Sequence, residues 1–205
     1  VLTGIVLGGG ASRRLGRPKQ TLPLGDTTVL GWALRNAEAS SLERVVLVVG
    51  GAADEVLDGV TVGRAQVVRN DAFGTGCASS LLAGLDAAGE CDAVMLLLGD
   101  MPGVDPSVID EVRAAWELDR PWAAVTSYRG ELGHPFVFAA DAFPTLRGLH
   151  GDKAVWKLVD GRPDAVRPLP VDRRLPGDVD TWEDYDAVMA ELVGGRAVAG
   201  GRPRG

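Results

Sequence analysis

Four short apolar runs, Leu2–Leu7, Arg44–Val49, Ala65–Val68 and Ala93–Leu98, punctuate the first hundred positions of the chain. Each is rich in Val, Leu or Ile, and continuous runs of this length read as strands covered on both faces, as in a parallel sheet. Between them the apolar period changes. Leu30, Ala33, Leu34 and Ala37 make one helical face within Val29–Ala39, and Leu81, Leu82 and Leu85 do so within Ala78–Ala88. Pro106, followed by Val108, Ile109 and Val112, starts a third helix. Strand and helix alternating at this rhythm predict right-handed βαβ units in one sheet, hence an α/β fold. Beyond Pro121 the regularity weakens. Trp122–Ser127 and His134–Phe138 read as two further strands, with Tyr128–Gly133 as the turn between them. Thr181–Val193 reads as a closing helix with Thr181 as N-cap and Asp184 three residues on. One domain is therefore expected over residues 1–193, followed by a Gly/Arg-rich tail, 194–205, whose composition predicts disorder.

Composition narrows this picture. A chain of 205 residues with 46% hydrophobic content suits one α/β domain, and scarce aromatics leave Val, Leu and Ala to fill its core. A net charge of -7 argues against a general nucleic-acid surface, although a local Arg/Lys cluster can still bind a small anion. Cys77 and Cys91 form neither a CxxC pair nor a disulfide framework, which suits a reducing compartment. The first apolar run lacks the basic flank of a signal peptide, and no run approaches the ~20 residues of a membrane span. A cytoplasmic protein without membrane or nucleic-acid partners is expected.

The candidate chemistry begins directly after the first strand. In Leu7-Gly8-Gly9-Gly10-Ala11-Ser12-Arg13-Arg14-Leu15-Gly16-Arg17-Pro18-Lys19, three consecutive glycines let backbone N–H groups approach anionic oxygens. Arg13, Arg14, Arg17 and Lys19 add positive charge within a few residues. The spacing is neither that of a Walker A loop nor that of a dinucleotide fingerprint, which would need glycine where Arg13 stands. A flexible turn with solvated arginines is the plainer alternative. Leu98-Gly99-Asp100-Met101-Pro102 ends the most hydrophobic strand, so Asp100 falls on the edge where open α/β sheets bind ligands. A carboxylate there can hold Mg2+ against triphosphate oxygens; it can equally be a turn aspartate before proline. Asp178 and Asp180 alternate about Val179 and share one side of an extended segment, either to complete a metal site or to cap the last helix. His134 is open between an acceptor pocket and a plain strand position. His150 reads as surface loop, Cys77 and the tryptophans as packing, and Glu38, Glu43, Asp54, Glu55 and Asp58 as solvated faces.

Taken in order, these segments resemble the MobA-like NTP transferase family, and most closely its molybdenum cofactor cytidylyltransferase (MocA-like) branch. "GIVLGGGASRRLGRPKQTLPLG" is similar to the family's nucleotide loop and its following Lys-x-Leu-x-Pro segment. "NDAFGTGCASSLLAGL", "LLLGDMPGV", "GHPFVF" and "DVDTWEDYDAV" are similar to its later segments. The resemblance implies a Rossmann-like three-layer nucleotidyltransferase fold with a mostly parallel mixed sheet. It also implies roles. Leu7, Gly8, Gly9, Gly10 and Ser12 would line the nucleotide, Arg13 and Lys19 would neutralise phosphate charge, and Asn70, Gly76 and Ser79 would border base and ribose. Asp100 and Asp180 would hold Mg2+, with Asp178 the substitute for Asp180, so that Arg13, Lys19 and Asp100 form the catalytic set. His134, Asp152 and Lys153 would face a molybdopterin-type phosphomonoester, and a molybdoenzyme or its maturation factor would receive the product. CTP is the favoured donor over GTP, although glycine at the third place of Leu7-Gly8-Gly9-Gly10 is the habit of the guanylyl branch. Met101 stands where the cytidylyl branch has Gln, and Trp156 where it has Arg. A sugar-1-phosphate nucleotidyltransferase, an NAD(P)-binding oxidoreductase and a non-catalytic nucleotide-binding partner of a molybdoenzyme are the alternative readings.

Overall fold

The structure is a computed structural model in which residues 1–9, 15–72, 77–151 and 153–194 are described. In chain order the described elements begin with β1 (Leu2–Leu7), the short hairpin strands β2 (Pro23–Leu24) and β3 (Thr27–Thr28), α1 (Val29–Ala39) and β4 (Arg44–Val49). Then come α2 (Ala53–Asp58), β5 (Gln66–Arg69), α3 (Cys77–Ala88), β6 (Ala93–Leu98) and α4 (Pro106–Asp119). The remainder is β7 (Ala123–Tyr128), β8 (Glu131–Ala139), α5 (Phe143–Arg147), α6 (Ala154–Gly161), β9 (Val166–Val171) and α7 (Trp182–Val193).

Seven of the strands form one sheet in the order β5-β4-β1-β6-β8-β7-β9. β8 pairs antiparallel with both its neighbours, and the other pairings are parallel. Alternate residues of the central strands feed two cores. Leu2, Val6, Leu47, Met95 and Leu97 pack on one face against Leu30 and Leu34 of α1 and Val108, Val112 and Trp116 of α4. Ile5, Val46, Val48, Val94 and Leu96 pack on the other face against Leu81 and Leu85 of α3 and Leu158 of α6. Two helical layers thus sandwich the sheet, the Rossmann-like three-layer arrangement that the resemblance implied. The continuous apolar strands predicted from sequence are β1, β4 and β6. β5 is shifted by one residue and only half-buried, because it lies at an edge.

The structure departs from the sequence reading in three places, two of them in the irregular second half. The turn expected over Tyr128–Gly133 shrinks to Arg129-Gly130, because Tyr128 already pairs with Glu131. Both turn residues have positive φ, 50° and 97°, the conformation a two-residue hairpin needs. Val166–Val171, with its prolines at 168 and 170, is a strand that periodicity did not suggest. It lies at the opposite edge, where a missing N–H can face away from the ladder. Two of the acids assigned to solvated faces tie segments together: Glu38 accepts from the N–H groups of Gly63 at 3.0 Å and Ala65 at 2.8 Å. Glu43 accepts from the N–H of Leu2 at 2.9 Å and pairs with Arg113 at 2.6 Å.

The last helix, α7, packs on neither main core. Val188 and Met189 join Val179, Leu15, Leu22, Leu24 and Val29 in a third apolar cluster. Its entry is a capping box, as Thr181-x-x-Asp184 suggested: the Thr181 hydroxyl accepts from the Asp184 N–H, and the Asp184 carboxylate accepts from the Thr181 N–H at 2.8 Å. The expected Gly/Arg tail lies, beyond Gly194, outside the described residues.

Candidate active site

β1 and β6 are neighbours, but the chain leaves β1 toward α1 on one face and arrives at β6 from α3 on the other. The winding reverses between them, so their carboxyl ends open the crevice that takes ligands in open α/β sheets. Gly8-Gly9 follows β1 into this crevice and Gly99-Asp100 follows β6. The two exits are held together, the Gly99 N–H donating to the Leu7 carbonyl at 2.9 Å and the Gly8 N–H to the Val48 carbonyl at 2.8 Å.

The described glycines serve different ends. A Cβ on Gly99 would stand 2.9 Å from the Leu7 carbonyl and 2.5 Å from a Leu30 methyl, so only glycine lets β6 turn into Asp100 here. A Cβ on Gly8 would meet Leu30 at 3.0 Å and the Val48 carbonyl at 3.2 Å. On Gly9 its nearest neighbours would be the Ser80 hydroxyl at 3.7 Å and the Gly50 nitrogen at 3.8 Å, ordinary contacts. The sequence reading gave Gly8, Gly9 and Gly10 alike to ligand approach. Gly8 is demanded first by packing, whereas among the described residues none packs closely enough to demand glycine at position 9.

The segment before α7 brings the second acidic group to the same place. The Val179 N–H donates to the Asp100 carbonyl at 3.0 Å, and the Val179 side chain is fully buried in the third cluster. Asp178 and Asp180 are therefore turned outward on either side of it. Lys19 meets them from a 3₁₀ turn, Lys19–Thr21, fastened by the Leu22 side chain in the same cluster. Its Nζ lies 2.5 Å from Asp100 Oδ2 and 2.6 Å from Asp180 Oδ1, so one cation bridges both carboxylates. Lys19 and Asp100 are mostly buried, 12% and 17% exposed as side chains, while Asp180 is half exposed. Burial opposes the ammonium charge, but Asp100 and Asp180 outweigh it and raise Lys19 above its ordinary value. Asp178 is pushed up by partial burial and then by the nearby charges of Asp100 and Asp180.

Asn70, beyond β5, is buried and works through its neighbours. Its amide donates to the hydroxyls of Ser79 at 2.9 Å and Ser80 at 3.0 Å, and its carbonyl oxygen accepts from the Ala72 N–H at 3.0 Å. It thereby holds the first turn of α3, a task that the sequence reading missed together with its partner Ser80. Pattern does not separate Ser80 from Ser79; only the fold turns it inward. The Ala78 N–H donates to the Gly151 carbonyl, joining this turn to the segment expected to face the acceptor. Between them Ala78, Ser79, Leu82, Leu149, His150 and Gly151 line a cavity of about 240 Å³.

His134 lies on β8 as a core residue, 8% exposed, with its ring 4.5 Å from Phe136 and 6.1 Å from Trp156. Burial pushes its imidazole down to about 3, so it is neutral at ordinary pH. Trp156, at the family's arginine position, packs edge-on to Phe136 at 5.0 Å. Lys153 is exposed at the start of α6. Gly10, Ser12, Arg13, Gly76 and Asp152 lie outside the described residues.

Whether this site suits a divalent ion turns on its donors. Among the described residues no three His, Cys, Asp or Glu side chains form a ready cage. Two hard carboxylate oxygens already converge on one cation, however. Magnesium-type ions are commonly held by one or two carboxylates and completed by substrate phosphates and water. The donor set fits.

A doubly covered, mostly parallel sheet with a glycine turn and a lysine-bridged aspartate pair at its switch point defines a nucleotide-handling α/β protein. Residues 4–166 match the MobA-like NTP transferase domain, and the chain belongs to this family of nucleotidyltransferases. Asp178 and Asp180 lie beyond the matched residues. The chain is 30% identical to Purine catabolism protein PucB of Bacillus subtilis, over 93% of this chain and 97% of that one. It is 34% identical to a "Probable molybdenum cofactor guanylyltransferase" of Mycobacterium avium (91% and 94%) and 28% identical to Nicotine blue oxidoreductase of Paenarthrobacter nicotinovorans (91% and 93%). The crystal structure of an Rv0371c homolog from Mycobacterium sp. strain JC1 superposes with a TM-score of 0.83 at 39% identity, covering 94% of this chain and 96% of that one. Rv0371c of Mycobacterium tuberculosis H37Rv in complex with manganese gives 0.78 at 37% identity, covering 92% and 97%. A nucleotidyl transferase from Methanothermobacter shares the fold, with a TM-score of 0.77 at 21% identity over 94% and 97%.

Proposed function

We propose that the protein transfers a nucleoside monophosphate from a nucleoside triphosphate to a phosphorylated acceptor of the molybdopterin type and releases pyrophosphate. The observation that carries this reading is the convergence of Lys19, Asp100 and Asp180 on one point beside Gly8-Gly9. In this reading a phosphate oxygen of the acceptor attacks the α-phosphorus. The new P–O bond forms as the bond to the β-phosphate bridging oxygen breaks, and pyrophosphate carries away that electron pair. An ionised phosphate needs no strong base, so the protein's work is positioning and charge stabilisation. Gly9 leaves the triphosphate room at the end of β1, Lys19 and Arg13 neutralise its charge, and Asn70 keeps Ser79 at the edge of the nucleotide site. Asp100 and Asp180 would hold Mg2+, with Asp178 beside them, and the ion would supply positive charge to the triphosphate oxygens. The manganese in the Rv0371c complex supports a divalent ion at this fold. Lys153 and Asp152 would meet the acceptor near the cavity by Ser79, while His134, being buried and neutral, would act through its packing on Trp156 rather than carry charge.

The cytidylyl-branch segments favour CTP, and the guanylyltransferase relatives make GTP the second donor to assay. A cytoplasmic setting, with a molybdoenzyme or its maturation factor as recipient, accompanies this reading. Pyrophosphate release is measured with CTP and GTP, with and without molybdopterin, in Mg2+ or Mn2+. Release that requires both acceptor and metal is expected. Asp100→Asn is expected to lower turnover by about 10²–10³-fold while far-UV circular dichroism stays that of the parent. Near-normal turnover in that variant would remove the metal role. The Nicotine blue oxidoreductase relative favours a second reading, NAD(P)-dependent reduction. Metal-independent NAD(P)H oxidation without pyrophosphate release would establish it.

A further inference from the structure

The ammonium of Lys19 stands where a metal ion held by Asp100 and Asp180 would have to stand. Its nitrogen is 2.5 Å from one carboxylate oxygen and 2.6 Å from the other, and those two oxygens come from segments eighty residues apart in sequence. Two cations cannot occupy that point together: they would overlap, and a divalent ion displaced to about 3 Å would cancel most of what the ammonium gains from the pair. The arrangement is also built to permit exchange. Lys19 is held by its short 3₁₀ turn, and its long side chain can leave the carboxylates by rotation while the turn stays fastened through Leu22. The backbone that carries the carboxylates is held in place. The main chain of Asp100 is bonded to Val179, and the main chain of Asp180 donates to Asp184 at 3.2 Å.

We infer that Lys19 is a built-in placeholder: it competes with the divalent ion for Asp100 and Asp180 and yields them when a triphosphate offers its ammonium another partner. This rests on the reading that these aspartates hold the metal. Lys19 then has two positions, on the carboxylates before substrate binds and on the phosphates afterwards. Metal and triphosphate promote each other's binding, because each removes the other's competitor. The protein alone binds divalent ions weakly, and the complete site assembles only around the nucleotide. Such an arrangement keeps the carboxylates from separating by their own repulsion while the crevice is open.

The test is a Mn2+ titration of the full chain without nucleotide, followed by electron paramagnetic resonance of the free ion. Thermal melts verify that each variant is folded. Lys19→Met is expected to bind Mn2+ at least about fivefold more tightly than the parent, the lower end of typical coupling between linked sites. Lys19→Gln serves if the methionine variant is unstable. Arg17→Met, which removes a neighbouring charge that does not touch the pair, is expected to leave the affinity unchanged. The tightening is expected to vanish when Asp100→Asn is added to Lys19→Met. Equal or weaker Mn2+ binding in both lysine variants, or an equal gain from Arg17→Met, overturns the placeholder while leaving the metal site intact. Mn2+ binding unaffected by Asp100→Asn, in either background, refutes the metal site itself and the placeholder with it.

Discussion

At the scale of single residues, the glycine turn divides into positions required by the protein and a position left open for something else. Gly8 and Gly99 sit where a methyl group would press on Leu30 and on a carbonyl, and neither neighbour is the free end of a surface side chain. Gly9 has ordinary clearance from the described residues. Gly99→Ala is therefore expected to lower stability by about 1–3 kcal/mol through overpacking, read as a shift of the denaturation midpoint. Gly9→Ala is expected to unfold like the parent and yet to weaken nucleotide binding, measured by titration calorimetry. Unchanged nucleotide affinity in Gly9→Ala would mean that no ligand approaches the backbone there. Sequence alone treats these glycines alike, since glycine has no side chain whose pattern could distinguish them.

At the scale of elements, α7 acts on the site through its first turn. The Asp184 carboxylate accepts from the N–H groups of Thr181 and Asp180, so the cap of the helix also fixes the residue that meets Lys19. The cap that the Asp-x-Asp-Thr pattern suggested is made by Thr181 and Asp184, and the Asp180 side chain turns to Lys19 instead. Asp184→Ala is expected to cost about 1 kcal/mol in unfolding free energy, the usual worth of a cap. Because it also loosens Asp180, turnover is expected to fall about tenfold or more, since small misplacements of a reacting site are costly. Glu191→Ala, on the exposed side of the same helix, is expected to change neither quantity. A loss of stability in Asp184→Ala with full turnover would separate the cap from the chemistry. The helix itself was legible in its apolar spacing and capping residues. The strand over Val166–Val171 was not, because two prolines in six residues read as loop until an edge position makes them harmless.

At the scale of the whole molecule, the pH dependence of stability should carry the mark of the second core. His134 is buried among aromatic rings and its imidazole is pushed down to about 3. Its ordinary value is near 6.5, so between those limits the unfolded chain holds a proton that the folded one refuses. Stability from this group is complete above about pH 6.5 and is lost as pH falls toward 3, at up to about 1.4 kcal/mol per pH unit. The carboxyls of Asp105 and Asp184, held below the usual carboxylate range, act in the same direction but only at lower pH. Between pH 6.5 and 4.5, urea unfolding of the parent is therefore expected to weaken with acid, and His134→Gln is expected to flatten that slope. An equal slope in both would show that the imidazole titrates normally and is solvated.

The apolar runs of β1, β4 and β6, the helical faces between them, and the cap of α7 follow from local spacing, because burial on a strand or helix repeats with the period of the backbone. So did the candidate groups, Gly8-Gly9, Lys19, Asp100 and the Asp178–Asp180 pair, each of which carried a plainer local reading beside the chemical one. What local spacing cannot contain is the meeting of Asp100 with Asp180. Their approach depends on the order in which strands join the sheet and on a cluster that buries Val179 against Leu22 and Val29. Only the packed chain puts one lysine between two carboxylates from distant segments, since electrostatic contact depends on separation in space and not along the sequence.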